Sequence, residues 1–93
     1  MKTYIIIFTE SKYKNHPEQN KIYTYLETFK AWSRLSKSTY MLQSDLKPSE
    51  IQNKILEITN YRGEVYIIDC TNCNYSVFGP DFIIDFFEKY IKI

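Results

Sequence analysis

Two carboxylates occupy positions in this chain where strand chemistry is done. Glu10 follows the apolar run Ile5-Ile6-Ile7-Phe8, and Asp69 lies inside the run Glu64 to Thr71. An acid where a strand leaves a sheet can hold a divalent cation or carry a proton, provided other oxygens converge on the same point. Glu10 and Asp69 are the candidate catalytic residues, with Mg²⁺ as the metal they would take. A second group pairs aromatic with basic side chains: Trp32, Arg34, Lys37 and Tyr40. Rings that stack and cations that meet phosphates are what single-stranded nucleic acid or a protein partner would require. Their alternative role is ordinary sheet or interface packing.

The remaining reactive types are sparse. Cys70 and Cys73 are spaced C-T-N-C, but the only histidine, His16, is far along the chain, so a four-ligand zinc set is not assembled. The pair falls at a strand end instead of a helix N-terminus, where a dipole would lower a thiol pKa. It reads as structural, and His16 reads as a loop or cap residue. No glycine-rich phosphate loop, nucleophile elbow or Ser/His/Asp set is present.

The elements that must position these residues follow from periodicity. Thr3 to Thr9 is a strand with both alternate sets apolar, Tyr4/Ile6/Phe8 and Thr3/Ile5/Ile7, as in a central strand covered on two sides. Asn15-His16-Pro17-Glu18 opens a helix whose stripe is Ile22, Tyr25, Leu26 and Phe29. Ala31 to Leu35 and Ser38 to Gln43 read as two short strands around a Ser36-Lys37 turn, although the first could instead continue the helix through Trp32. In a second helix Pro48 takes the first position and Glu50 the third. There Leu46 and Ile51 are spaced as a hydrophobic staple, and the helix ends at Asn60-Tyr61-Arg62-Gly63. Glu64 to Thr71 is a fourth strand, Val65 and Ile67 on one side and Tyr66, Ile68 and Cys70 on the other. Asn74 to Phe78 is expected as a short extra strand, and Gly79-Pro80-Asp81 as the start of a last helix with an apolar face from Phe82 to Ile91.

The order predicts an α+β chain, a single ferredoxin-like domain over residues 1–93: a βαββαβ sandwich with a short extra strand and a C-terminal helix. Strands one and three would be central, and a three-stranded variant without the Trp32 strand is the alternative. At 93 residues the chain supports one core without disulfides or metal. Two helices cover one sheet face only, while strands one and four are apolar on both. The other face therefore needs the C-terminal helix, a second subunit or both. A homodimer, with sheets facing, is the expectation.

Charge excludes little but steers the reading. Twelve basic and eleven acidic residues leave a net charge of +1, which supplies no general attraction to nucleic acid or an acidic membrane. Basic residues do gather early, at Lys12, Lys14, Lys21, Lys30, Arg34 and Lys37. The run Ile5 to Phe8 is too short for a signal-peptide core, and no stretch approaches the length of a membrane span. A cytoplasmic protein with no membrane association is expected.

The stretch S-T-Y-M-L-Q-S-D-L-K-P-S-E-I, Ser38 to Ile51, resembles the S-T-W-L-(x)-x-S-D-L-(S/T)-x-x-x-I pattern of short bacterial and phage proteins labelled SinR-like. The fold of that group resembles the CRISPR-associated Cas-two family. Trp32 before the motif and the strand at Gly63 to Ile68 fall at suitable distances, so the likeness runs to about Thr71. It implies a ferredoxin-like protomer that dimerises, with a trailing segment pairing across the dimer. It also implies a metal-dependent nuclease wherever an Asp from each subunit stands at the tip of the first strand, in sequences reading S-Y-D-L. Here Thr9 takes that Asp position, and Glu10 is one residue late, pointing to the opposite face unless the strand bulges.

Three functions follow. The first is a non-catalytic dimeric interaction module with an unidentified protein partner or a nucleic-acid-associated complex. It has no cofactor and acts in phage–host conflict, in keeping with the Ile, Lys, Asn and Tyr richness of an AT-rich genome. The alternatives are a Cas-two-type nuclease using Mg²⁺ at Glu10 with Asp69, and nucleic-acid binding without cleavage through Trp32, Arg34, Lys37 and Tyr40.

Overall fold

The computed structural model describes residues 1–8 and 17–91. In chain order they form β1 (Lys2–Phe8), α1 (Pro17–Leu26), β2 (Trp32–Ser36), β3 (Thr39–Ser44), α2 (Pro48–Ile58), β4 (Val65–Asp69) and α3 (Asp81–Tyr90). The strands make one antiparallel sheet in the order β2-β3-β1-β4, which leaves β2 and β4 at its edges. This is an α+β architecture with a four-stranded antiparallel sheet and three helices.

Alternation along β1 sorts side chains onto two faces. Tyr4, Ile6 and Phe8 join Tyr40 and Leu42 of β3, and α1 and α2 close over them with Ile22, Leu26, Ile51 and Ile55. The opposite parity, Ile5 with Met41 and Leu35, meets Phe86 and Ile91 from α3 and its C-terminal cap, together with Cys70. Each face therefore has its own apolar cluster, and the two differ in completeness. The first is roofed by two helices. The second is roofed by α3, whose strand contacts fall chiefly on β2.

Local chemistry explains the boundaries. After Leu26 the backbone tightens, Thr28 donating both its N–H and its hydroxyl to the Tyr25 carbonyl, and the helix ends well before Trp32. Ala31 to Leu35 is thus not a helical continuation: Trp32 opens β2, and the sheet has four strands. A register shift between Arg34 and Ser36 bends β2 just before its turn. Helix α2 begins with Pro48 in its first turn, and the Glu50 carboxylate accepts the Lys47 N–H at 3.4 Å. It is closed by Asn60 and Tyr61, whose φ angles of 54° and 61° lie in the left-handed region that terminates helices.

One expected element is absent. Asn74 to Phe78 is not a strand: no ladder partner meets it among the described residues, although exposure alternates along it, with Tyr75 and Val77 half-buried and Asn74, Ser76 and Phe78 exposed. Alternating polarity is enough to seat an extended segment against an apolar surface. A ladder also needs main-chain groups aligned with a strand edge, and alternation does not supply that.

Candidate interaction surface

Asp69 lies away from the end of β1 that leads toward Glu10. Strand β4 runs antiparallel to β1 with Asp69 opposite Tyr4 and Val65 opposite Phe8. Asp69 therefore stands four residues, about 13 Å, from the end of β1 that leads toward Glu10. Thr9 and Glu10 themselves lie outside the described residues, as do His16, Lys12 and Lys14. Asp69 is also engaged otherwise. Its Oδ1 accepts the Thr71 N–H at 2.9 Å, and Oδ2 lies 3.8 Å from Lys2 Nζ. Those Thr71 hydrogen bonds, helped by Lys2, hold its carboxyl below the ordinary range. This is a turn-closing aspartate. Among the described residues, no group of three or more His, Cys, Asp or Glu side chains is placed to hold a metal ion.

The aromatic and basic candidates converge, but mostly on one another. The Trp32 and Tyr40 rings are 6.0 Å apart, and the Arg34 guanidinium sits 4.5 Å from the Tyr23 ring centroid. Tyr40 is fully buried and donates to Glu27 Oε2 at 2.6 Å. Burial and that carboxylate raise its pKa, with Arg34 opposing them. A ring enclosed by Phe8, Tyr23 and Trp32 offers no face to a base, so Tyr40 does not stack on an incoming ligand. The Lys37 carbonyl accepts the Tyr23 hydroxyl at 2.6 Å, fixing the β2–β3 turn to α1, while the Lys37 residue itself is exposed. Of the four, Trp32 alone presents a large ring to solvent, 39% exposed.

Cys70 and Cys73 are both free thiols in the turn after β4. Cys70 is buried, its Sγ 3.3 Å from the Thr3 carbonyl it donates to. Burial foremost, with Cys73 and Asp69 adding to it, pushes this thiol up to about 11. A thiol held protonated is a poor nucleophile.

No protein-family model matches this chain, and no curated sequence does.

What it presents is an apolar strip on the face α3 leaves open. Tyr66 is 52% and Ile68 50% exposed on β4, and Ile7, directly opposite Tyr66 in the ladder, adds to them. The Tyr66 hydroxyl donates to Glu64 Oε2 at 3.0 Å, which raises its pKa and turns the polar end of the ring along its own strand. Phe78 and Phe82, before and at the start of α3, are exposed as well. Neither Tyr66 nor Ile68 is a residue type that announces binding. The signal was the doubly apolar pattern of β4, which called for a cover on both faces.

Among the described residues no helix is long and apolar enough to cross a membrane.

Proposed function

We propose that this chain is a non-catalytic interaction module that works as a homodimer in the cytoplasm, with no cofactor of its own. The observation that carries the reading is the strip Ile7, Tyr66 and Ile68, left bare on a sheet face whose other half is covered by α3. Water around half-exposed Tyr and Ile side chains is unfavourable by about 25 cal/mol per Å², so a contiguous strip of this kind favours a partner. The strand order β2-β3-β1-β4, with α1 and α2 on one face, supports reading the domain as ferredoxin-like, and with it the resemblance to SinR-like and Cas-two-like dimers. A role in phage–host conflict, through a protein or a nucleic-acid-associated complex, rests on that resemblance. The engagement of Asp69 with Thr71 and Lys2, far from the β1 exit, supports a binding role over hydrolysis.

The test is light scattering over a wide concentration range on the native chain and on Ile68→Glu. The native chain should show twice the mass of one protomer. Ile68→Glu, with unchanged circular dichroism, should be monomeric. A native chain that stays monomeric at every concentration ends the dimer reading.

A further inference from the structure

We infer that the second copy joins through the open edge of β4, two β4 strands pairing antiparallel about a two-fold axis at Ile67, so that the sheets of the two protomers become one. The inference rests on the dimer reading and gives it a geometry.

Cys70 donates its N–H to the Thr3 carbonyl at 2.9 Å, which makes Thr3/Cys70 a hydrogen-bonded pair of the β1–β4 ladder. Such pairs alternate along an antiparallel ladder, so Ile5/Ile68 and Ile7/Tyr66 are of the same kind. The N–H and C=O groups of Val65, Ile67 and Asp69 therefore point away from β1, to the edge where the sheet order ends. Edge strands of soluble proteins are normally blunted by a central charge, a proline or a bulge. Val65-Tyr66-Ile67-Ile68 contains none of these.

This edge is its own complement. An axis at Ile67 sets Ile67 against Ile67 and Val65 against Asp69, so that all three outward-facing residues of each copy are satisfied at once. Shifting the axis by one residue in either direction leaves Val65 or Asp69 without a partner. The same register sets Tyr66 of one copy against Ile68 of the other, twice, as non-hydrogen-bonded pairs, whose side chains approach most closely. It also keeps Glu64 and Asp69 of one copy away from their own counterparts.

Face-to-face packing is less favourable. Stacked sheets lie about 10 Å apart, and α3 already occupies part of that layer. The strip itself offers on the order of a few hundred Å², short of the roughly 800 Å² per partner that stable dimers bury. Main-chain pairing along the edge, with the Tyr66–Ile68 contacts above it, supplies what the strip alone lacks.

The experiment mixes two single-cysteine-addition variants, Tyr66→Cys and Ile68→Cys, under mild oxidation, with each variant alone and the native chain as controls for Cys70 and Cys73. Opposed residues in a non-hydrogen-bonded pair have Cα atoms about 4.5 Å apart, inside the roughly 4.4–6.8 Å that a disulfide spans. Covalent dimer should form in the mixture on the order of tenfold faster than in either variant alone. Independently of any variant, the amides of Val65, Ile67 and Asp69 in the native chain should exchange at least about tenfold more slowly in the dimer than after dilution to monomer. Ile68→Cys linking to itself as fast as the mixture would move the axis and overturn this register. A native dimer with no cross-link in the mixture and freely exchanging edge amides would overturn edge pairing while leaving the dimer. A monomer throughout would remove both.

Discussion

Replacing Thr3 with Val tests whether α3 is locked to the sheet, on which the division between covered and open face depends. Thr3 is fully buried at the start of β1. Its Oγ1 donates to the Tyr90 carbonyl at 2.6 Å and accepts from Gln43 Nε2 at 3.2 Å, tying α3's C-terminus to β1 and β3. Valine has nearly the same shape and removes only the hydroxyl. Each lost neutral hydrogen bond is worth about 0.5–1.5 kcal/mol, and a partner left unpaired in the interior costs about 1–3. Tyr90 and Gln43 are only half-buried, so water can reach part of what is lost. The net loss should be about 1–2 kcal/mol, a fall of about 1 M in the urea midpoint for a chain of this size. The loss should also be local. Ile91 accepts the Asn72 N–H at 3.0 Å, so the amides of Asn72 and Ile91 should exchange faster in Thr3→Val. Thr3→Ser, which keeps the hydroxyl and loses a methyl, should destabilise without selectively exposing those amides. A Thr3→Val protein as stable as the parent, with unchanged protection at Asn72 and Ile91, would refute the latch.

Three other expectations follow from single groups. Tyr61 is 69% exposed with φ 61°, so Tyr61→Gly removes left-handed strain with little packing lost and should raise stability by up to about 1 kcal/mol in urea titration. Asp69 has a folded pKa below its unfolded value near 3.9, so its stabilisation is present above that pH and is lost as pH falls through the folded value. Asp69→Asn should flatten the acid limb of a stability-versus-pH curve, by a small amount because the side chain is well hydrated. A thiol reagent at neutral pH should modify Cys73 first, while Cys70, buried and held protonated to about 11, should react only as fast as the protein opens; equal rates would contradict the burial.

What could be read from residues alone follows a physical divide. Periodicity reports how a segment meets its own surroundings, and there it served well. The Pro48 and Glu50 signals lie at the start of α2, the stripe Ile51/Ile55 is buried, and both parities of β1 meet apolar clusters. Periodicity is silent on which segment becomes the neighbour. Asn74 to Phe78 has strand-like alternation and does not form a strand. Tyr40 sits in a motif rich in polar residues and still faces inward, because β3 is central and its even positions lie under α1. Asp69 lies opposite Tyr4 in the antiparallel register, a placement that alternation along β4 does not disclose.

The two clusters also explain why the open edge is tolerable. The cluster under α1 and α2 is closed by residues of no exposure, Ile6, Leu26, Tyr40, Leu42, Ile51 and Ile55 among them, and it needs no further cover. The cluster under α3 contains a buried Ser33 hydroxyl with no partner among the described residues, and it stops short of β4. Stability is thus concentrated on one face, while the other is assembled from a helix latched at Thr3 and a bare strand beside it. A protomer built this way has a closed core on one face and still presents Tyr66, Ile68 and an unblunted edge. That combination is what a module needs if association is to be governed by concentration or by a competing strand. On the edge-pairing proposal the specificity of association lies in five residues, Val65 to Asp69, of which Val65 and Ile67 also pack against the first core.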